Sequence, residues 1–176
     1  MLAGIDPAPL LQQIADHPEL WNNDPELQKS KEYTALYAVN NITLRRIMPP
    51  SGPGNPPFRN FDAFHVLSEA RRIVFDVMRA VEGEILSQVI ISRMRDGEVI
   101  QPHIDHLPPG VPLSFQRFQV PLAVKPGVVF VCGDEQLYME PGHAYWFDNQ
   151  VRHSVYNNSG TDRISMRIDI RPFGEF

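Results

Sequence analysis

Of the six histidines in this chain, one stands two residues before a carboxylate within a stretch that reads as a strand: His103-Ile104-Asp105. Side chains alternate along a strand, so positions i and i+2 project from one face and a short segment presents two metal ligands together. A third ligand has to come from elsewhere. Two imidazoles and one carboxylate on one side of an octahedral Fe(II) leave neighbouring positions open for a bidentate 2-oxo acid and O₂. Alone, His-x-Asp is a weak motif, because strand ends often carry solvated polar residues. Its weight rises with the C-terminal stretch, where His153 begins one strand, Asn157-Asn158-Ser159-Gly160 supplies turn residues, and the next strand starts at Arg163. A turn centred near Asn158 makes a hairpin in which His153 faces Arg163, with opposed Cα atoms roughly 4.5–5.5 Å apart. The Arg163 guanidinium then reaches past the metal to where the distal carboxylate of a chelated 2-oxoglutarate would lie, and its planar fork suits a carboxylate. Ser165 shares that face and offers a second hydrogen bond. The competing reading makes Arg163, Ser165, Arg167 and Asp169 the solvent face of a strand that buries Ile164, Met166, Ile168 and Ile170. For Arg167 and Asp169 the solvent-facing reading is the expected one.

The elements that must position these residues follow from periodicity and turn chemistry. Asp6 can cap a short amphipathic helix carrying Leu10, Leu11 and Ile14, with Leu20 and Trp21 beyond it and its length limited by Pro18. Residues Ile42 to Ile47 read as a strand. Met48 to Asn60, with five prolines and two glycines, reads as a loop, either a lid over a site or an inert surface segment. From Phe61 to about Val81, Phe64, Leu67, Ala70, Val74, Phe75, Val77 and Met78 recur at helical spacing and predict the principal helix. Beyond Gly83 come eight short strands: Leu86 to Met94, Glu98 to Asp105, Ser114 to Val124, Val128 to Cys132, Gln136 to Glu140, His143 to Asp148, His153 to Asn157 and Arg163 to Ile170. Turn residues such as Asp96-Gly97, Pro108-Pro109-Gly110, Pro126-Gly127 and Pro141-Gly142 separate nearly all of them. Helices followed by a run of strands predict a mainly β chain with flanking helices, an antiparallel double-sheet jelly roll. One domain is expected over residues 1–176, its helical and loop portion 1–82 bracing a β-core at 83–172.

Composition narrows the function classes. The formal net charge of −5 comes with no basic stripe, so a nucleic-acid partner is not expected. Cys132 is the one cysteine, which excludes an intramolecular disulfide and a thiolate cluster and leaves any metal to His and carboxylates. The N-terminal stretch lacks a basic segment followed by an apolar core, and no run of about 18 apolar residues occurs, so a cytoplasmic protein without a membrane partner is expected. His17, His65, His106 and His143 are expected at the surface or in packing, and Trp146 and Phe147 in the core.

Arg95-Asp-Gly-Glu-Val-Ile-Gln-Pro-His103-Ile-Asp105, Arg117-Phe-Gln-Val-Pro-Leu122, Gly142-His-Ala-Tyr-Trp-Phe-Asp-Asn149, His153-Ser-Val-Tyr-Asn157 and Arg163-Ile-Ser165 occur in that order. This set, over roughly residues 85–172, resembles the aspartyl/asparaginyl β-hydroxylase-like branch of the 2-oxoglutarate/Fe(II) oxygenases. The resemblance implies a double-stranded β-helix, cupin-like in architecture, with iron on His103, Asp105 and His153 and 2-oxoglutarate on Arg163. It also implies that Arg117 assists the co-substrate. Gln119 stands where the mammalian peptide hydroxylases carry a histidine, and those enzymes lack the carboxylate that Asp105 supplies, so the chain is nearer the small bacterial and phage-type members. Halogenating relatives have a small residue at the Asp105 position, which favours hydroxylation here. The implied activity is hydroxylation of a small-molecule or peptide substrate with Fe(II), O₂ and 2-oxoglutarate. A cupin-type metalloenzyme that does not use 2-oxoglutarate and a non-catalytic β-sandwich binding module remain as alternatives.

Overall fold

The computed structural model describes residues 2–30, 39–48, 58–105 and 115–174. Eleven strands are described: β1 (Leu2–Ala3), β2 (Asn40–Ile47), β3 (Phe58–Asn60), β4 (Gly83–Met94), β5 (Val99–His103), β6 (Gln116–Ala123), β7 (Val128–Cys132), β8 (Glu135–Leu137), β9 (His143–Phe147), β10 (His153–Asn157) and β11 (Arg163–Pro172). They form a large sheet in the order β1-β9-β6-β11-β4-β2-β3 and a small one in the order β5-β10-β7-β8. From β4 to β11 the chain passes back and forth between the two sheets, and every pairing is antiparallel. This is the double-stranded β-helix.

Helices α1 (Ala8–Asp16), α2 (Pro25–Ser30), α3 (Asp62–Val66) and α4 (Ser68–Ala80) are described with the strands. Asp6 Oδ1 accepts from the Ala8 amide at 3.0 Å and holds the start of α1. The stretch expected as one principal helix is two. Leu67, with φ −85° and ψ 77°, leaves the helical region and drives its side chain fully into the core. The helix ends freed by that break find partners. The Glu69 amide donates to Gln13 Oε1 at 3.0 Å, and Arg71 Nη1 donates to the carbonyls of Phe64 and His65 at 2.7 and 2.6 Å.

Two cores result. The outer one lies between the helices and the large sheet, where Ala70, Ile73, Val74 and Val77 of α4 meet Val120, Met166, Ile168 and Ile170. The inner one lies between the sheets and includes Met94, Ile100, Phe130, Phe147 and Val155.

The expected β10–β11 hairpin is not formed. β10 lies between β5 and β7 in the small sheet, whereas β11 lies between β4 and β6 in the large one. The turn residues serve a change of sheet: Asn157 Nδ2 donates to the carbonyls of Met94 and Thr161 at 3.0 and 2.9 Å. Of the Met48 to Asn60 loop, Phe58–Asn60 is a strand paired with β2. Residues 49–57 lie outside the described residues, as do His106 and the Pro108-Pro109-Gly110 turn. Among the described residues no helix is long and apolar enough to cross a membrane.

Candidate metal centre

His103 closes β5 and Asp105 follows just past its end, with the exposed Ile104 between them, so strand alternation outlives the strand by two residues. The turn that leads into β10 fixes Asp105: its amide donates to the Asn149 carbonyl at 3.2 Å, and Gln150 Nε2 donates to the Asp105 carbonyl at 3.3 Å. His153 pairs with His103 across β5 and β10. His103 Nε2 stands 3.6 Å from Asp105 Oδ1 and His153 Nε2 3.7 Å from Asp105 Oδ2, and one ligand atom from each residue lies within 4.8 Å of the others.

Both rings are oriented from behind. His103 Nδ1 donates to the Gln101 carbonyl at 2.7 Å and His153 Nδ1 to the Val151 carbonyl at 2.9 Å, which places a proton on each Nδ1 and turns each Nε2 inward. Burial pushes the His153 pKa down to about 4, so its imidazole is neutral at neutral pH. Phe147 and Phe130 wall it in, their ring centroids 5.1 and 6.3 Å from that of His153. Two imidazole nitrogens and a carboxylate, with no thiolate among them, fit Fe(II) by donor type.

Behind the three donors, the inward face of the large sheet is polar. Arg117 of β6 donates from Nε and Nη2 to the two Asp169 oxygens at 2.7 and 2.8 Å, and its Nη1 meets Asp105. Burial alone would raise the Asp169 carboxyl, but the Arg117 and Arg167 guanidiniums bring it below the usual range. Gln119 Nε2 donates to Ser165 Oγ, and Ser165 is fully buried. Arg163 is 5% exposed and lines the same cleft as the three donors. Among the described residues no carboxylate is paired with it, and burial lowers its pKa to about 10, so it remains a cation.

Several placements differ from expectation. Arg163 and His153 share the cleft, but from opposite sheets and not as a cross-strand pair. Arg167 and Asp169 do not face solvent: Asp169 is 3% exposed, and Arg167 lines the cleft. Trp146 is 57% exposed, whereas Phe147 walls the site. The cleft also holds Asn41, Ile90 and Ser92, which sequence reasoning passed over. The signal was the parity of β4, which puts Ile90, Ser92 and Met94 on the face opposite Val89 and Ile91. Ser92 Oγ donates to Asn41 Oδ1 at 2.7 Å.

The model of the aspartyl/asparaginyl β-hydroxylase family matches residues 62–172, from α3 to the end of β11. The chain belongs to that family. Among solved structures, an oxidoreductase of the 2OG-Fe(II) oxygenase family from Burkholderia pseudomallei is similar with a TM-score of 0.52 at 14% identity, over 92% of this chain and 89% of that one. A viral collagen prolyl hydroxylase from Paramecium Bursaria Chlorella virus-1 reaches 0.43 at 11% identity, over 74% and 78%. A cupin domain from Bordetella pertussis Tohama I reaches 0.39 at 20% identity, over 49% and 83%. No curated protein matches the chain. The family's matched span contains strands β4 to β11, all three candidate metal donors and Arg163.

Proposed function

We propose that this chain is an Fe(II)- and 2-oxoglutarate-dependent dioxygenase, working as one domain over residues 1–176 in the cytoplasm and hydroxylating a C–H bond of an amino-acid or peptide substrate. The observation that carries the reading is Arg163, a buried cation with no carboxylate partner among the described residues, in the cleft where His103, Asp105 and His153 converge. Burying a charge without a counter-charge is costly, so such a residue marks the place of an anionic ligand.

The net conversion takes the substrate C–H, O₂ and 2-oxoglutarate to the alcohol, succinate and CO₂, with one oxygen atom entering the alcohol and the other succinate. Iron, when bound, supplies the activation of O₂ that this requires. The chain's own residues do the positioning. His103, Asp105 and His153 would hold the metal from one side of the cleft. Arg163 receives the distal carboxylate of 2-oxoglutarate as a bidentate fork, next to Ser165, whose hydroxyl is oriented by Gln119. Arg117, braced by Asp169, holds the Asp105 carboxylate toward the metal and borders the co-substrate. Ile100, Phe130, Phe147 and Val155 keep that part of the cleft apolar and limit water. A carboxylate at position 105 occupies the place a halide would need, which favours hydroxylation.

A cupin-type metalloenzyme that does not use 2-oxoglutarate would leave the buried charge of Arg163 unanswered. A non-catalytic β-sandwich binding module would leave the convergence of three oriented donors unexplained. The test is anaerobic addition of 2-oxoglutarate to the Fe(II)-loaded protein, where joint chelation is expected to give a weak visible charge-transfer band, followed by succinate release over a panel of amino acids and peptides. A wild-type protein that binds Fe(II) but gives no band overturns the reading.

A further inference from the structure

The charges around the cleft do not cancel. Arg117, Arg163 and Arg167 line it, against the carboxylates of Asp105 and of Asp169 behind it, so three guanidiniums face two carboxylates and one positive charge is in excess. A divalent ion and a doubly charged 2-oxo acid add +2 and −2, so the loaded site keeps the same excess. That excess belongs to Arg167. Arg117 already holds both oxygens of Asp169, and Arg163 is allotted to the distal carboxylate. Arg167 has its Nε 3.9 Å from Asp169 Oδ2, beyond hydrogen-bond reach, and its Nη2 3.3 Å from the neutral Gln88 Oε1. Its Nε is buried and finds no acceptor among the described residues.

Position on the strand separates Arg167 from the co-substrate anchor. Arg167 is four residue steps along β11 from Arg163, roughly 13 Å at the rise of a strand, so one carboxylate does not serve both. Arg167 instead lies near the metal end of the strand: its neighbour on that face, Asp169, grips Arg117, which touches Asp105.

We infer that Arg167 is the specificity-determining residue of the site and receives a single carboxylate of the primary substrate beside the metal donors. This rests on the oxygenase reading above. A carboxylate, carrying one charge, closes the excess, whereas a phosphate group at about −1.5 to −2 would overshoot it. The carboxylate could be the α-carboxyl of a free or C-terminal amino acid, or the side chain of an acidic residue within a peptide.

The experiment uses the full chain loaded with Zn(II), which does not turn over, and saturated with 2-oxoglutarate. Calorimetric titrations compare N-acetyl amino acids with their C-terminal amides, and include the N-acetyl amides of aspartate and glutamate, which keep only a side-chain carboxylate. At least one class with a free carboxylate is expected to bind about tenfold or more tighter than its neutral counterpart, the scale of a charge-assisted hydrogen bond. Which class does so identifies the source of the carboxylate. Arg167→Met is expected to remove that preference, and Arg167→Lys to restore part of it. If acids and amides bind alike in the wild type, if no acid binds, or if the preference survives in Arg167→Met, the inference is wrong. The acid-against-amide comparison in the wild type stands even where a variant fails to fold. Titration of 2-oxoglutarate into Arg163→Met is the separate arm: retained binding there overturns the co-substrate anchor, whatever the acids and amides do.

Discussion

The two faces of β11 are both buried, yet they are built oppositely. Met166, Ile168 and Ile170 press outward against the helices and are fully buried in an apolar core. Arg163, Ser165, Arg167 and Asp169 turn inward to the cleft, and carry two guanidiniums for one carboxylate that a third guanidinium already holds. Burial of an Ile or Met side chain contributes roughly 1.5–3 kcal/mol to folding. The inner face returns no comparable gain, and keeps in Arg163 a buried cation with no carboxylate partner among the described residues. One strand thus separates the requirements of folding from those of binding by parity alone, and the stability of the outer face tolerates the strain of the inner one.

The candidate metal donors, which face the inner side of β11 from the small sheet, set the largest expected effect. His153→Ala is expected to abolish turnover and to lower Fe(II) affinity sharply while leaving the circular dichroism spectrum and unfolding midpoint near wild type, because the residue lines an open cleft. His143→Ala, whose ring lies outside the cleft, is the control and is expected to keep its iron; metal content after desalting reads both. Next is the outer wall. Ile168→Ala is expected to destabilise the fold by about 2–5 kcal/mol, the usual cost of a large-to-small change in a closed core, with Fe(II) and 2-oxoglutarate affinities unchanged. If urea denaturation shows Ile168→Ala near wild type, or if it loses iron while folded, the separation between the faces fails.

How far this division was legible in the sequence depends on the kind of signal. The alternation of Ile164, Met166, Ile168 and Ile170 with polar residues gave the strand and its two faces. It did not say whether the polar face met water or a ligand cleft, because period two is the same for both, and Arg167 and Asp169 were misplaced for that reason. That His103 and Asp105 lie side by side was readable because both come from one short segment. The relation of His153 to Arg163 was misread: Asn157-Asn158-Ser159-Gly160 has the composition of a hairpin turn, and only tertiary pairing shows that the chain changes sheets there. The break at Leu67 was equally invisible, since the side chains that stabilise it, Gln13 and Arg71, act across sequence or through backbone carbonyls. Trp146 and Phe147 exchanged roles because adjacent strand residues face opposite ways, and the sequence does not number the faces.

The comparison sharpens at Arg163. Truncation to Ala removes the cation from a buried carboxylate site, a change that costs about 2–5 kcal/mol. The Kd for 2-oxoglutarate is therefore expected to rise by roughly 30-fold or more, at about 1.4 kcal/mol per tenfold. Arg163→Lys is expected to recover only part of this, since an ammonium supplies the charge without the planar fork. Fe(II) affinity is expected to hold in both variants, and titration of 2-oxoglutarate into iron-loaded protein is the measurement. Wild-type affinity in Arg163→Ala would move the anchor to another guanidinium of the inner wall.

The smallest effect has the opposite sign from the outer-wall change. In the ligand-free protein Arg163 is a cation held away from water with no carboxylate partner among the described residues, and burial brings its pKa down to about 10. Removing the charge while keeping an apolar stem of similar length relieves that cost, so Arg163→Met is expected to stabilise the ligand-free fold by about 1–3 kcal/mol. Zn(II) and 2-oxoglutarate then reverse the order. A ligand that binds only the folded state adds about 2.7 kcal/mol at a hundred times its Kd, and the wild type gains this while Arg163→Met, which binds 2-oxoglutarate poorly, does not. Denaturation midpoints of the two proteins, with and without ligands, are therefore expected to cross. An Arg163→Met protein less stable than wild type without ligand would mean that Arg163 belongs to the structural side of β11, and the division between its faces would have to be redrawn at that residue.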